Sequence, residues 1–193
     1  MENLKELKKN LRKQVNKLHD ELSEEDLKAH SRVASDRIIK DCEEYKSADV
    51  VYAFVSFGRE IDTSIIINNA LENGKRLLLP RVTDRGMVFK EVKDLNELIK
   101  SNYGILEPSD DLPDVCEDGF MLVPGVVFGK NLYRIGYGGG FYDRFFAQTK
   151  DMNIYKAGYC HGYQIVDEVP TEEHDFKIDA IFSNDGVISR YSD

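Results

Sequence analysis

The sequence of 193 residues predicts an α/β fold in which helices cover both faces of a mostly parallel β-sheet. Two observations carry this prediction. Segments rich in β-branched and aromatic residues alternate along the chain with segments whose apolar residues recur every three or four positions. Residues 50–57 (VVYAFVSF) are also nearly uncharged, which is typical of a strand buried on both faces, as in a parallel sheet.

The first two predicted elements are helices. Apolar residues spaced three or four apart form a stripe from Leu4 to Leu22, as in an amphipathic helix. Ser23 followed three residues later by Asp26 resembles a capping box, so a second helix is expected to begin there and to run to about Lys40. These two helices precede the strand predicted over residues 50–57.

The remaining elements alternate between strands and helices. Asp62 or Thr63 is suited to cap a third helix that ends at Asn73-Gly74. The acidic stretch 109–119 is expected to be a surface loop, and no linker or repeat divides the chain. Residues 1–193 are therefore expected to form a single three-layer domain with a Rossmann-like sheet. Further strands are predicted over 75–82, 87–92, 120–128 (with a Pro-Gly break), 155–160 and 178–182, and further helices over 94–99 and 141–148.

Composition and charge restrict the function. No stretch reaches the ~18 apolar residues of a membrane helix, and residues 1–14 lack an apolar signal-peptide core. Cys42, Cys116 and Cys160 are odd in number and far apart, which predicts neither a disulfide framework nor a zinc site. We therefore expect a cytoplasmic protein without membrane partners. The net charge of −9 argues against a nucleic-acid partner.

The N-terminal helix is basic although the chain is acidic. Residues 1–17 carry six basic side chains against two acidic ones. A solvated helix face is one explanation, and an anion-binding surface is the other. The basic residues are Lys5, Lys8, Lys9, Arg12, Lys13 and Lys17.

Residues 134–143 (RIGYGGGFYD) form the most distinctive segment of the sequence. They follow a predicted strand and open a predicted helix, and four glycines occupy five consecutive positions. Such a backbone approaches a ligand closely and turns N–H groups inward, while the helix adds its positive N-terminal end. Arg134 adds a planar, charged fork. The segment therefore predicts a phosphate site, with a ligand-free glycine connection as the alternative.

Two well-known glycine motifs do not fit this segment. A Walker loop has Lys followed by Ser or Thr after its last glycine, whereas Phe141 and Tyr142 follow here, and the dinucleotide fingerprint has a different glycine spacing. Asp143, in the first helical turn, is suited either to pair with the helix dipole or to bind Mg²⁺. Asp175 is a second candidate carboxylate, and the nearby Glu172, Glu173 and Asp179 compete with it.

Six blocks, in order, span nearly the whole chain. They are Lys8-x-x-x-Arg12, 54–63 (FVSFGREIDT), 79–81 (LPR), 123–128 (VPGVVF), 134–143 (RIGYGGGFYD) and 169–179 (VPTEEHDFKID). Together they resemble the 5-formyltetrahydrofolate cyclo-ligase family, also called methenyltetrahydrofolate synthetases. The resemblance implies a ligase that forms a C–N bond and cyclises 5-formyltetrahydrofolate, with or without a polyglutamate tail, to 5,10-methenyltetrahydrofolate. ATP would be the co-substrate, Mg²⁺ the cofactor, and ADP and phosphate the products.

The resemblance also implies roles for individual residues. Catalysis is assigned to Arg134, Lys8 and Arg12; the spacing of the latter two agrees, because residues four apart share one helical face. Mg²⁺ is assigned to Asp143 and Asp175, and a monomer is expected. The implied ATP contacts are Lys8, Lys9, Asn10, Leu11, Arg12, Arg134, Ile135, Gly136, Tyr137, Gly138, Gly139, Gly140, Phe141 and Tyr142. The implied folate contacts are Val55, Glu60, Tyr137, Gly138, Gly139, Gly140 and Phe141.

Several interpretations stay open at this point. Tyr163 and Gln164 are further candidates for a folate contact, whereas His161 and His174 receive no catalytic role. A sugar-phosphate isomerase or transferase would also use a glycine-rich phosphate loop but would not require ATP. A nucleotide-binding regulator would bind ATP without consuming it, and a structural adaptor would leave the glycine segment and the basic helix unexplained.

Overall fold

A computed structural model describes residues 3–84, 86–101 and 104–190 of the chain. The helices are α1 (Leu4–Asp20), α2 (Glu24–Asp41), α3 (Glu43–Ser47), α4 (Ser64–Glu72) and α5 (Phe141–Gln148). The strands are β1 (Val50–Tyr52), β2 (Arg76–Thr83), β3 (Gly86–Val92), β4 (Leu98–Lys100), β5 (Leu106–Pro108), β6 (Gly119–Val123), β7 (Val127–Gly129), β8 (Arg134–Ile135), β9 (Ile154–Tyr159), β10 (Ile165–Val166), β11 (Ala180–Phe182) and β12 (Val187–Ser189).

The main sheet, within the described ranges, has seven strands in the order β12-β11-β9-β6-β1-β2-β3. The five inner strands are parallel, and the two edge strands β3 and β12 are antiparallel to their neighbours. The strand order reverses between β1 and β6, because the chain moves outward from β1 to β2 and then returns to the other side of β1. In open α/β sheets, ligands bind outside the carboxyl ends of the strands at such a reversal.

Helices cover both faces of the main sheet, as the sequence predicts. On one face, Ile38 of α2, Tyr45 of α3 and Ile66 of α4 pack in one buried cluster with sheet residues such as Phe120. On the other face, α5 places Phe145 in a second cluster with residues of the central strands. The fold is therefore a three-layer α/β arrangement around a mostly parallel sheet.

The N-terminal helix α1 packs on a second, three-stranded sheet in the order β10-β7-β8. Val15 of α1 is buried together with Val127 of β7, Ile135 of β8 and Val169. Because β8 ends at Ile135, this packing holds the basic helix beside the glycine-rich segment that begins at Gly136. The sequence alone does not indicate this second sheet, since its strands have only two or three residues.

The predicted starts and stops of the helices are largely confirmed. Ser23 and Asp26 form the expected capping box at the start of α2, in which each side chain bonds to the other residue's backbone N–H. Asn73 occupies the C-cap of α4, and Gly74 follows with φ +71°, a left-handed conformation that glycine adopts at little cost. Thr63 occupies the N-cap of α4 but makes no side-chain cap bond there.

The strand predicted over residues 50–57 is shorter than expected. It ends at Tyr52, and the following residues leave the sheet although Phe54 stays buried. The Thr63 hydroxyl donates to the Phe54 carbonyl oxygen at 2.7 Å and accepts from the Ser56 N–H at 3.3 Å. The Ala53 N–H still donates to the Leu78 carbonyl oxygen of β2 at 2.9 Å. Beyond Ala53 the bonds of Thr63 replace the strand ladder, so residues 54–57 turn away from the sheet.

Two other predicted elements are wrong in part. The strand expected over 120–128 is divided at Pro124 into β6 and β7, which belong to different sheets; a proline has no N–H to continue a strand ladder. The helix expected over 94–99 is only a 3₁₀ turn at Leu95–Glu97. Leu98 instead begins β4, which pairs with β5. Short elements with no sequence pattern, namely α3, β5, β8, β10 and β12, were not predicted.

The acidic stretch 109–119 connects β5 to β6 and is mostly exposed, as expected of a surface loop. Its backbone is anchored by the buried Lys90 ammonium, which donates to the carbonyl oxygens of Asp110 and Leu112 and to the Asp114 carboxylate. No helix among the described residues is both long and apolar enough to cross a membrane. The single domain, the monomer and the cytoplasmic location stay predictions.

We predict that Tyr159→Phe lowers the free energy of unfolding by about 1–2 kcal/mol. The buried Tyr159 hydroxyl lies 2.7 Å from the Ser35 hydroxyl and 3.0 Å from the Asp62 carbonyl oxygen, and its loss leaves these groups short of a partner. Urea unfolding measures the change. Tyr133→Phe is the matched control, because Tyr133 is only half-buried. Equal stability of Tyr159→Phe and wild type would contradict the prediction.

Candidate active site

A cavity of about 1100 Å³ opens at the carboxyl ends of β1 and β6, where the strand order reverses. It has two contrasting sides. The charged wall comprises Lys8, Arg12, Arg134, Asp143, Glu172 and Asp175. The apolar wall comprises Phe57, Val82, Met87 and Leu106.

The glycine-rich segment also borders this cavity, which Gly136 to Gly140 all line. Gly138 has φ +102° and Gly140, the N-cap of α5, has φ +64°; L side chains rarely adopt these values. The Arg12 guanidinium donates from Nε to the Gly136 carbonyl oxygen at 2.8 Å. The first helix therefore holds the glycine segment directly, through one of the two basic residues that the sequence singles out.

The predicted ATP contacts on α1 divide into two groups. Lys8 and Arg12 line the cavity, as expected of residues on one helical face. Lys9 pairs with Glu6 on the exposed side of α1, and Leu11 packs against the cluster around Val15. Lys9, Asn10 and Leu11 lie outside the cavity wall that the described residues form, because each successive residue is rotated about 100° round the helix.

Lys8 joins α1 to the loop that precedes β11. Its ammonium donates to the Asp175 carboxylate at 2.7 Å and to the Glu172 carboxylate at 2.9 Å. Burial opposes the charged form of Lys8, but the bonds to Asp175 and Glu172 outweigh it and raise the pKa of Lys8. Burial likewise opposes the ionised form of Asp175, yet the Lys8 ammonium holds the pKa of Asp175 below its ordinary value. The pair is therefore ionised at neutral pH.

Arg134 is nearly fully buried and binds Asp143 through both terminal nitrogens. Nη1 donates to Oδ1 at 3.1 Å and Nη2 donates to Oδ2 at 3.3 Å. Its Nε is buried without a hydrogen-bond partner in the described part of the chain. The guanidinium predicted to bind phosphate thus carries a carboxylate partner here and retains one unsatisfied donor.

The carboxylates of the charged wall fit a magnesium ion. Mg²⁺ takes one or two carboxylates and completes its shell with phosphate and water. Asp143 and the Asp175 segment are adjacent, since the Phe176 N–H donates to Asp143 Oδ1 at 3.4 Å. Glu172, His174 and Asp175 form a second grouping, with ligand atoms within 4.8 Å of one another. The sequence-based pairing of Asp143 with Asp175 stays a prediction beside this alternative.

Glu60 lies in the loop that follows β1, where it is half-buried and lines the cavity. Its carboxylate accepts from the Phe57 N–H at 2.9 Å. Burial raises the pKa of Glu60 to about 7, against smaller opposing effects of the Phe57 N–H and the Tyr137 side chain. At neutral pH both forms of the group are therefore populated: the carboxylate accepts hydrogen bonds, and the protonated form can also donate one.

The aromatic residues of the glycine segment differ in exposure. Tyr137 is 66% exposed at the cavity mouth, where its ring is free to contact a planar ligand. Phe141 and Tyr142 both pack against the core while still bordering the cavity. Val55 behaves similarly, since it packs on the other core cluster and lines the cavity.

Tyr163, Gln164 and His161 lie outside the cavity wall described here. The Tyr163 hydroxyl is 2.8 Å from His19 Nδ1, and the Gln164 amide donates to the carbonyl oxygens of Gly125 and Val126. Burial lowers the pKa of His161 to about 3, so it is neutral at physiological pH. Gln164 therefore supports the chain just after Pro124 instead of reaching a ligand.

The apolar wall and Arg144 are the site features that sequence reasoning missed. Val82 and Met87 are cross-strand partners on β2 and β3. Arg81 ties β5, and with it Leu106, to β2 by donating to Glu107 and to the Pro108 carbonyl oxygen. The Val82–Met87 pair belongs to one hairpin, whereas the contacts of Arg81 with β5 join residues 26 and 27 positions apart and leave no local pattern. Arg144 follows Phe141 by three residues on the same helix, a spacing that places two side chains next to each other. This spacing could have indicated that Arg144 lies near the glycine segment.

Comparison with known proteins shows the family of the chain. Residues 4–184 match the sequence model of the 5-formyltetrahydrofolate cyclo-ligase family. The chain belongs to this family. It is an enzyme of the cyclo-ligase type, and its relatives support 5-formyltetrahydrofolate cyclo-ligase activity.

Relatives of this cyclo-ligase chain occur in distant organisms. The 5-formyltetrahydrofolate cyclo-ligase of Escherichia coli K12 is 32% identical over 140 residues, which cover 69% of this chain and 77% of that protein. The Mus musculus protein of the same name is 25% identical over 197 residues, covering 94% and 96%. The NMR structure of Aquifex aeolicus 5,10-methenyltetrahydrofolate synthetase superposes with a TM-score of 0.82 at 27% identity, covering 97% and 94%.

We predict that Glu60→Gln changes how stability depends on pH. The pKa of Glu60 rises from an ordinary 4.5 to about 7 on folding, so the folded chain keeps a proton that the unfolded chain releases between these values. The wild-type free energy of unfolding therefore loses a contribution as pH rises through this window. Glutamine does not ionise, so the variant should gain about 1–3 kcal/mol relative to wild type between pH 4.5 and pH 8.

Urea unfolding at several pH values measures this difference. The exposed Glu168, which lies outside the cavity, gives the matched control Glu168→Gln. That control should follow the wild-type curve throughout. Parallel curves for Glu60→Gln and wild type would show that Glu60 ionises normally in the folded protein.

Proposed function

We propose that this enzyme uses Mg-ATP to cyclise 5-formyltetrahydrofolate to 5,10-methenyltetrahydrofolate, with release of ADP and phosphate. One observation carries the proposal. A single cavity combines the glycine segment and the cations of the charged wall with an apolar wall and a protonatable carboxyl group, Glu60. The glycine segment and the cations suit a triphosphate. The apolar wall and Glu60 suit a fused ring with an amino-pyrimidine edge.

The reaction needs chemical activation that ATP supplies. The formyl group on N5 is an amide, so its carbon is a poor electrophile and its oxygen is a poor leaving group. Attack of the formyl oxygen on the γ-phosphate forms an imidate phosphate and releases ADP. N10 then attacks the formyl carbon, phosphate leaves with the former formyl oxygen, and N10 loses its proton to water, which completes the methenyl bridge. No enzyme nucleophile takes part, so alignment and charge stabilisation are the tasks of the protein.

Arg134, Lys8 and Arg12 are proposed to stabilise the moving phosphate, together with N–H groups of the glycine segment. Lys8 is held 2.7 Å from Asp175, and Arg134 is held by Asp143, so each cation would exchange part of its carboxylate contact for phosphate oxygens. The unsatisfied Arg134 Nε is a donor that such a ligand would satisfy. Lys9, Asn10 and Leu11 would then support α1 and not contact the nucleotide.

Mg²⁺ would be held by Asp143 and Asp175, with Glu172 as the competing carboxylate. When bound, the ion supplies positive charge that offsets the charge of the phosphate oxygens. The ionised state of Asp175, maintained by Lys8, keeps this carboxylate able to bind a cation. Displacement of Lys8 from Asp175 would open the carboxylate and release the ammonium for phosphate in the same movement.

Glu60 is proposed to orient the pterin ring. A carboxylate accepts paired hydrogen bonds from an amino-pyrimidine edge, and the backbone bond from Phe57 fixes the orientation of this group. Tyr137, Phe141 and Val55 border the same space and supply aromatic and aliphatic surface. The segment from Tyr137 to Phe141 would thus contact both substrates, with the folate on the side of Glu60.

The test combines purified protein with Mg-ATP and 5-formyltetrahydrofolate. We expect the near-ultraviolet absorbance of the methenyl product and ADP to appear in equal amounts, and neither to appear without Mg²⁺. Omission of the folate tests for ATP hydrolysis that is independent of the folate, and omission of ATP tests for folate conversion that needs no phosphoryl donor. ADP release without methenyl product, or turnover without ATP, would overturn the proposal.

We predict that Arg134→Ala lowers turnover about 10²-fold or more, as loss of preorganised charge stabilisation does. Arg134→Lys retains the charge without the planar fork and should recover only part of the rate. Circular dichroism and thermal unfolding must show that each variant is folded, because the arginine is buried. Normal turnover in a folded Arg134→Ala variant would refute this role.

A further inference from the structure

Arg144 is a cation of the cavity that the proposed chemistry does not use. It lines the cavity from α5 and is exposed. Its guanidinium lies 5.0 Å from the centre of the Phe141 ring, on which it is supported. Among residues 3–84, 86–101 and 104–190, no carboxylate forms an ion pair with it.

Arg144 differs in this respect from the cations of the charged wall. Lys8 is bonded to Asp175, and Arg134 is bonded to Asp143. Arg12 donates to a backbone carbonyl oxygen. Arg144 has a bidentate fork already supported by an aromatic ring, so binding an anion there displaces no internal carboxylate.

Arg144 lies beside the last glycine of the segment, since its Nη1 is 2.9 Å from the position that a Cβ on Gly140 would take, but it is separated from the Asp143 carboxylate. It follows Asp143 by one residue and is therefore rotated about 100° from it round α5. Asp143 faces the 172–176 segment through the Phe176 N–H. Another side of α5, away from Asp143, packs on β3 through the rings of Phe145 and Phe89, whose centres are 4.8 Å apart. The strand β3 also carries Met87 of the apolar wall.

The anion that fits this position belongs to the second substrate. A folate has a fused ring, then a benzoyl group, and then a glutamate whose carboxylates form the polar end. With the fused ring at Glu60 and the benzoyl group along the apolar wall, the glutamate reaches the exposed rim of the cavity. Arginine matches a carboxylate there through two parallel N–H···O bonds.

We propose that Arg144 binds the glutamate carboxylate of the folate substrate and thereby selects folates that carry a glutamate. This inference rests on the proposed function. It adds a specificity-determining residue and its ligand group.

The test compares two substrates that differ only in the glutamate: 5-formyltetrahydrofolate and 5-formyltetrahydropteroate. We expect Arg144→Ala to raise KM for the folate about tenfold while leaving kcat and KM for ATP within about twofold, since the lost contact acts on binding and not on the transition state. With the pteroate, wild type and variant should have equal KM. Arg144→Lys should give an intermediate KM for the folate.

Lys150→Ala is the matched control, because Lys150 is an exposed cation just beyond α5 that does not line the cavity. It should leave every constant unchanged. A rise in KM for ATP in Arg144→Ala, or an equal loss with folate and pteroate, would overturn the proposal in favour of phosphate binding or a structural role. An unchanged KM for the folate would also overturn it.

The two proposals fail in different ways. Calorimetric titration of wild type with 5-formyltetrahydrofolate, without ATP, reports folate binding independently of turnover. Folate binding that depends on Arg144 without cyclisation would overturn the proposed reaction and support the carboxylate contact. Active wild type with an unaffected Arg144→Ala variant would overturn only the contact. A wild-type protein that neither binds nor converts the folate would overturn both.

Discussion

The division of the chain at Pro124 is the constraint from which the site follows. Because proline cannot continue the ladder of β6, the chain leaves the main sheet and forms β7 and β8 in a second one. Helix α1 packs on that second sheet through Val15. This packing places the basic face of α1 beside the glycine segment. Both lie near the reversal of strand order, where α/β sheets bind ligands.

Charge within the cavity is balanced before any ligand arrives. Lys8 neutralises Asp175, and Arg134 neutralises Asp143. Buried charges without partners are costly, so internal pairing keeps the empty cavity stable. The proposed Mg-ATP substrate would bring both signs of charge and would replace both halves of each pair. Under that proposal, the exchange would favour the complete Mg-ATP complex over either component alone.

The sequence predicts the fold class well, and it singles out the glycine segment and the Lys8–Arg12 face that line the cavity, because these depend on local signals. The capping box at Ser23, the glycine spacing up to Gly140 and the alternation of strands with helices are all readable along the chain. The apolar wall was not predictable, since β2, which carries Val82, and β5, which carries Leu106, contact each other only in the folded chain. Whether Arg134 faces a phosphate or Asp143 also depends on tertiary packing, which residue type does not reveal.

The connection between Lys8 and Asp175 spans 167 positions, and that between Arg12 and Gly136 spans 124. Contacts between residues so far apart in the chain require a large loss of conformational entropy. They therefore form only after the intervening structure has folded. Synthesis proceeds from the N-terminus. The basic face of α1 can therefore form both of these contacts only after nearly the entire polypeptide has been synthesised. The ligand pocket is therefore a late product of folding, and a nascent chain that stops short of residue 175 lacks it.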